Sequence, residues 1–219
     1  MVSVSSAVET VISRSRYLSE AISKGIINFS ALSRYIKPEI EELTHKKVSE
    51  AALIMALNRL SKDIKPKYKS YDIFTSAPDM IVRSNLIEMT VPNSESLIEK
   101  CPQILKLATN QTKYFLTITE GVFDTTIIAS KDLQAEISSI LEGEQVVAKF
   151  AGLSSVTIRL PQEALKTPGI FYFFLKSLAW EGINIVEIVS VYLELTIIFD
   201  EKDVNKAFSI LQSLFVKTV

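Results

Sequence analysis

The chain has 219 residues, 47% of them hydrophobic and 22% charged, with a formal net charge of −1. That apolar share is enough for a packed core and excludes a disordered chain, and the length allows one large domain or two to three small ones. One cysteine and one histidine exclude an internal disulfide and a Cys/His zinc cluster.

Charge is unevenly placed. Residues 1–70 hold 12 Lys+Arg and 7 Asp+Glu, a balance of +5, whereas residues 71–219 hold 12 and 18, a balance of −6. A basic module joined to an acidic one is expected, and a basic module points weakly to nucleic acid. The first ten residues carry no basic residue or apolar core of signal-peptide length. No run approaches the roughly 18 apolar residues of a membrane helix, so a soluble, cytoplasmic protein is expected.

In chain order, Val8, Val11, Ile12, Leu18, Ala21 and Ile22 recur at helical spacing, which predicts a helix over 8–25 stopped by Gly25. A second helix through Ala31, Leu32, Tyr35 and Ile36 is expected to break or restart near Pro38, with a short amphipathic piece to about His45. The third predicted helix, 49–64, has Ser49 as N-cap and Leu53, Ala56, Leu57, Leu60 and Ile64 on one face. Three short-linked helices fit a helix-turn-helix or winged-helix module. Its candidate nucleic-acid contacts are Ser49, Asn58, Arg59, Lys62, Lys65 and Lys67, but Ala51, Ile54 and Met55 on the outer faces fit a protein contact better. Residues 71–74 and 80–82 are expected to form a hairpin, either a wing or an entry strand.

From residue 84 a strand-helix-strand-strand-helix order is predicted twice. The first copy has strands at 86–91, 114–119, 125–129 and 146–150 and helices at 94–109 and 132–141. The second has a strand at 153–160, a helix from Thr167 to Trp180, strands at 184–188 and 194–199, and a last helix from Asp203. Thr126-Ile127-Ile128 before Lys131-Asp132 echoes Thr196-Ile197-Ile198 before Lys202-Asp203, an offset of about seventy residues that reads as duplication. Thr167 is expected to cap its helix, Pro168 to take the first helical position and Gly182 to stop the helix. The chain leaves at most a stub for the second copy's last strand, so that edge needs cover.

Pro168-Gly169-Ile170, then Gly182-Ile183-Asn184-Ile185, then a strand ending Phe199-Asp200-Glu201-Lys202-Asp203-Val204, resemble an ACT domain, most closely those of the regulatory half of aspartate kinases. The resemblance covers residues 84–215. It implies an α+β fold of two tandem ferredoxin-like βαββαβ (ACT) units, residues 84–150 and 151–219. Ahead of them stand a helix-turn-helix-like domain, 1–66, and a linker or wing, 67–83. It also implies side-by-side pairing, hence a homo-oligomer, and an amino-acid effector. The sequence departs from the family in three places: Pro161-Gln162-Glu163-Ala164-Leu165-Lys166 occupies the loop after the first strand, the first copy lacks Pro-Gly, and no kinase half is present.

No glycine-rich phosphate loop or nucleophile turn occurs, so no enzyme, cofactor or metal is expected. His45 reads as a surface residue near a helix end, and Cys101 as a half-buried hydrophobe. Asp200 and Asp203 read as acids placed at a helix start. A helix N-terminus offers unpaired N–H groups and partial positive charge to a ligand carboxylate. The expected ligand site is therefore Thr167, Pro168, Gly169, Ile170, Asn184 and Ile185, with Glu187 or Ser190 contributed from a paired subunit. Two functions follow: an amino-acid-sensing transcriptional regulator that binds DNA, or a non-DNA-binding regulatory or assembly subunit that docks on a partner enzyme.

Overall fold

The structure, a computed structural model, describes residues 2–64, 73–109 and 113–215. The chain forms two compact units, Met1–Lys69 and Ser70–Val219.

Among the described residues the first unit holds four helices where three were expected: α1 (Val4–Arg14), α2 (Arg16–Ser23), α3 (Phe29–Thr44) and α4 (Glu50–Asp63). The helix expected over 8–25 breaks at Ser15. That residue leaves the helical region and its hydroxyl accepts from the Leu18 N–H, so it ends α1 and starts α2. Serine offers the backbone such an alternative partner, and the apolar spacing lapses between Ile12 and Leu18. Conversely, the break expected at Pro38 does not occur, and α3 runs straight through it. Proline removes the bond to the Arg34 carbonyl, but Arg34 and Pro38 are both exposed, on a side of the helix where solvent is available as a replacement partner. Asn28 caps α3 and Ser49 caps α4. Val8, Ile12, Ile36, Ile40, Leu53 and Leu57 form the shared core.

The second unit is built on one antiparallel sheet in the order β2-β3-β1-β4-β6-β5. Its strands are β1 (Met80–Pro92), β2 (Leu116–Glu120), β3 (Asp124–Ser130), β4 (Ala148–Arg159), β5 (Glu187–Val191) and β6 (Glu194–Asp200). Helices α5 (Glu95–Leu107) and α6 (Gln134–Ile140) follow the first repeat's strands, and α7 (Ile170–Trp180) and α8 (Val204–Ser213) follow the second's. Strand residues that face the helices alternate with residues on the other face, as the period of two requires. Ile87, Met89, Val91 and Ile127 pack under α5 and α6, and Val156, Ile158, Leu195 and Ile197 under α7 and α8.

The two central strands belong to both repeats. Strands expected separately at 146–150 and 153–160 are one strand, β4, with Gly152 at φ 67 between them. Strand β1 likewise joins 80–82 to 86–91, with Asn85 at φ 56 and register shifts between Arg83 and Glu88 marking the bulged bend. Among the described residues the expected hairpin is not seen: Ile73 and Phe74 lie outside any strand, and Tyr71 and Asp72 lie outside the described residues. Instead Met80, Ile81, Val82 and Arg83 pair with Ile158, Thr157, Val156 and Ser155. They fill the place beside the second repeat's first strand that the chain's end was expected to leave bare. The two halves of the unit match in one further detail: Thr90–Thr126 and Thr157–Thr196 make corresponding cross-strand hydroxyl pairs at 3.1 and 2.8 Å.

Below α7 the core is aromatic. Phe74 and Phe215 meet edge to face at 4.8 Å between ring centroids, and both pack on Phe173 and Phe174. Phe174 is fully buried. We expect Phe174→Ala to cost about 3–5 kcal/mol in chemical denaturation of the full chain, against near-neutral replacement of the exposed Tyr172.

Candidate functional site

The entrance to α7 differs from the expected cap. The Thr167 hydroxyl donates to the Glu163 carbonyl at 2.8 Å, closing the 3-10 turn Gln162–Lys166 that precedes it. Gly169 holds the N-cap position at φ 83, a left-handed conformation that suits glycine, and no side chain caps the helix. Thr167 is therefore not the cap, and Pro168 stands ahead of the helix instead of at its first position. A capping side chain normally satisfies one of the first N–H groups, so this helix start keeps its positive end open. At the other end Gly182 stops α7 as expected: the Gly182 and Ile183 N–H groups donate to the Ala179 and Leu178 carbonyls, a Schellman motif.

An open cleft of about 400 Å³ lies over this helix start, between it and β5. Leu160, Ala164 and Leu165 form its apolar side, Thr167, Gly169 and Ile170 its floor at the helix, and Ser190 and Tyr192 its far wall. Of the residues expected from sequence, the structure brings Thr167, Gly169, Ile170 and Ser190 together within one chain, with Pro168 adjoining them. Asn184, Ile185 and Glu187 are not on the wall. Pairing starts later than the apolar run suggested: β5 begins at Glu187, and the first ladder-like bond is Val186 N–H to the Ile198 carbonyl at 2.8 Å. Asn184 is exposed in the loop, Ile185 packs against the core, and the Glu187 carboxylate accepts from the Ile188 N–H at 3.0 Å. Tyr192, at φ 48 in the β5–β6 turn, and Tyr172 on α7 complete the cleft and were not expected there. The signal for Tyr192 was a two-residue turn between two apolar strands, which places the turn residue beside the preceding helix start.

The first repeat treats the equivalent place differently. A cleft of about 390 Å³ there includes Asn93, Ser94, Cys101, Glu120 and Thr125. Its helix start is closed: Ser94 accepts from the Leu97 N–H at 3.0 Å and donates to Glu144. Ser96 donates to Glu144 at 2.6 Å and Lys100 at 2.7 Å, and Lys100 also reaches the Glu142 carbonyl. These bonds, the Lys100 ammonium first, hold the Glu144 carboxyl down to about 2. Burial, then Glu120, pushes the Cys101 thiol up, which disfavours a thiolate.

In the first unit, Ser49 caps α4 by accepting from the Ala52 N–H, and Asn58 donates to the Ile54 carbonyl, so both are engaged within their own helix. Arg59 and Lys62 are exposed on α4, and Lys65 and Lys67 lie outside the described residues. His45 ends α3 in the left-handed region at φ 52. Among the described residues no cluster of three or more metal-ligating side chains occurs, and no helix is long and apolar enough to cross a membrane.

No protein-family model and no curated protein matches the chain. Solved structures do. The regulatory subunit of aspartate kinase from Thermus thermophilus, in its ligand-free form, aligns with a TM-score of 0.52 and 16% identity over 64% of this chain and 99% of its own. Aspartate kinase from Clostridium acetobutylicum gives 0.51 and 16% over 65% of this chain and 35% of its own. The Synechocystis enzyme gives 0.50 and 15% over 76% and 32%. This chain thus spans about a third of the two kinases and nearly all of the separate regulatory subunit. At these identities the likeness is one of fold: an α+β architecture shared with aspartate kinase regulatory domains.

The tie at Glu144 has a pH signature. Its folded carboxyl titrates below the ordinary 4.5, so it adds stability above that value and loses it as pH falls through about 2. Glu144→Gln is expected to flatten the acid limb of the melting-temperature profile below pH 4.5 and to leave its shape near neutrality unchanged.

Proposed function

We propose that the chain is an amino-acid-sensing regulatory protein. In this reading two ACT-like units, residues 84–150 and 151–219, follow a helical domain, 1–66, and a linker, 67–83, whose last residues lend the second unit a strand. One observation carries it: α7 starts without a capping side chain at the mouth of a 400 Å³ cleft, on a fold shared with aspartate kinase regulatory domains. The open N–H groups of that turn suit a carboxylate. Thr167 and Ser190 stand beside it for hydrogen bonding, with Leu160 and Leu165 for an apolar side chain. The effector acts by population shift, binding one arrangement of the chain, or of a homo-oligomer, more tightly than another.

Two outputs are compatible with such a sensor. A transcriptional regulator is favoured by the +5 balance of residues 1–70 and by exposed Arg59 and Lys62 on α4. A non-DNA-binding subunit that docks on a partner enzyme is favoured by Met55 and Tyr35, 67% and 71% exposed on α4 and α3. Salt-dependent DNA binding that weakens in the double variant Arg59→Ala, Lys62→Ala selects the first, and no binding at low salt selects the second.

The sensor itself is tested by melting the protein against each of the twenty amino acids at millimolar concentration. One or two related amino acids are expected to stabilise it, by about 2.7 kcal/mol at a hundredfold excess over Kd. Ser190→Trp, which fills the cleft from an exposed strand position, is expected to abolish the shift without changing the ligand-free melting temperature. No shift with any amino acid overturns the reading.

A further inference from the structure

The sheet's helix-free face carries a second apolar cluster. Leu86, Ile128, Leu153 and Ile198, from β1, β3, β4 and β6, are all at most 4% exposed. Among the described residues of this unit, the hydrophobic side chains packed on it come from outside the helices. They come from both edges of the sheet: Phe115 from just before β2, Val186 from just before β5 and Val189 from its middle. The cluster lies beside the register shifts between β1 and β4, where the two repeats meet.

Within that meeting place stands a carboxyl group. Glu88 pairs in register with Ile128 and with Phe150, which puts it on the helix-free face two residues from Leu86. It is 6% exposed and its Oε2 has no hydrogen-bond partner. The second repeat puts Ser155 two residues from Leu153, equally buried and with its hydroxyl unpartnered. On this face, among the described residues, each repeat thus has one unsatisfied buried polar side chain, Glu88 or Ser155, and only Glu88 can ionise; the Ser154 hydroxyl, also unpartnered, alternates to the helix face.

The charges around Glu88 do not neutralise it. Glu187 on β5 is in register with Ile198 and so shares the face; its negative charge acts on Glu88. Arg83 shares the face on β1 itself, but opposite Ser155 and beyond the bulge. Asp200 on β6 pairs with Leu153 and holds its own cation, Lys202, at 3.2 Å. Lys149 on β4 pairs with Met89 and belongs to the helix face. Strands β2 and β3 bring Thr117 and Ile128, without charge. Burial first, and Glu187 second, pushes the Glu88 carboxyl up.

We infer that Glu88 is a proton-operated latch between the repeats: neutral, it lets the helix-free faces close over Leu86, Ile128, Leu153 and Ile198; ionised, it loosens that closure. The latch does not depend on any effector. Strand β5 nonetheless carries Glu187 facing the latch and Ser190 lining the cleft, so the two elements share a strand. The sign follows from the raised carboxyl. Closure is fully supported below the ordinary glutamate value of 4.5 and is lost as pH rises through the higher value Glu88 has in the closed sheet.

The test is amide hydrogen exchange of the full chain from pH 5 to 9, corrected for the chemical rate's own pH dependence. Protection at Leu86, Ile128, Leu153 and Ile198 is expected to fall, by up to about tenfold per pH unit within the titration window. Glu88→Gln is expected to remove the fall, and Glu187→Gln to move it to lower pH. Flat protection in the unmodified chain, or a fall that Glu88→Gln leaves intact, overturns the latch. Should the variant fold poorly, carbon NMR titration of the Glu88 carboxyl in the unmodified chain decides instead. A midpoint above 4.5 supports the latch, and one at or below it overturns it.

Discussion

The ladder between β1 and β4 is the contact on which the second unit depends. Each of these strands starts in one repeat and ends in the other, so neither repeat has a complete sheet without its neighbour. Residues 80–83 cover β4 in the second repeat, and residues 148–150 cover β1 in the first. The bulges at Asn85 and Gly152 let the strands turn between the two directions. Gly152 has a backbone reason to stay glycine, its φ of 67, while a Cβ there would meet the Glu201 carboxyl carbon only at an ordinary 3.4 Å.

From that ladder the sites take their places. Helices on one face bury the two main cores, and on the other face Leu86, Ile128, Leu153 and Ile198 form a cluster drawn from both repeats. The repeats then diverge at their first helices. In the first, a serine cap and the Glu144 carboxylate, tied to Ser96 and Lys100, close the helix start; in the second, Gly169 leaves it open. The two halves thus hold one sealed and one open version of the same corner. The difference arises from Asn93-Ser94 in one copy and Pro168-Gly169 in the other.

Local chemistry was legible in the sequence where one residue decides it. Ser94, Ser49, Gly25 and Gly182 each bound a helix where their side chain or positive φ predicts. It was not legible where a local preference meets tertiary context. Pro38 does not break α3 because the carbonyl it strands faces solvent, and Ser15 divides a segment whose apolar spacing read as one helix. The role of residues 80–83 could not be read, since pairing with residues 155–158 lies more than seventy positions away and no local pattern encodes it. Nor could the order of site residues around Asn184, because an apolar run does not say at which residue its ladder begins. Thr167, Gly169 and Ser190 come together in one cleft; Asn184 does not join them, because the Schellman turn buries Ile183 and turns the next residue to solvent.

The interlock of the repeats is most directly tested by backbone cross-strand NOEs in the full chain. The account predicts contacts between Val82 and Val156 together with contacts between Met89 and Lys149, both in the same protein. Contacts for Met89 and Lys149 with none for Val82 and Val156 would mean two separable repeats, and would contradict it.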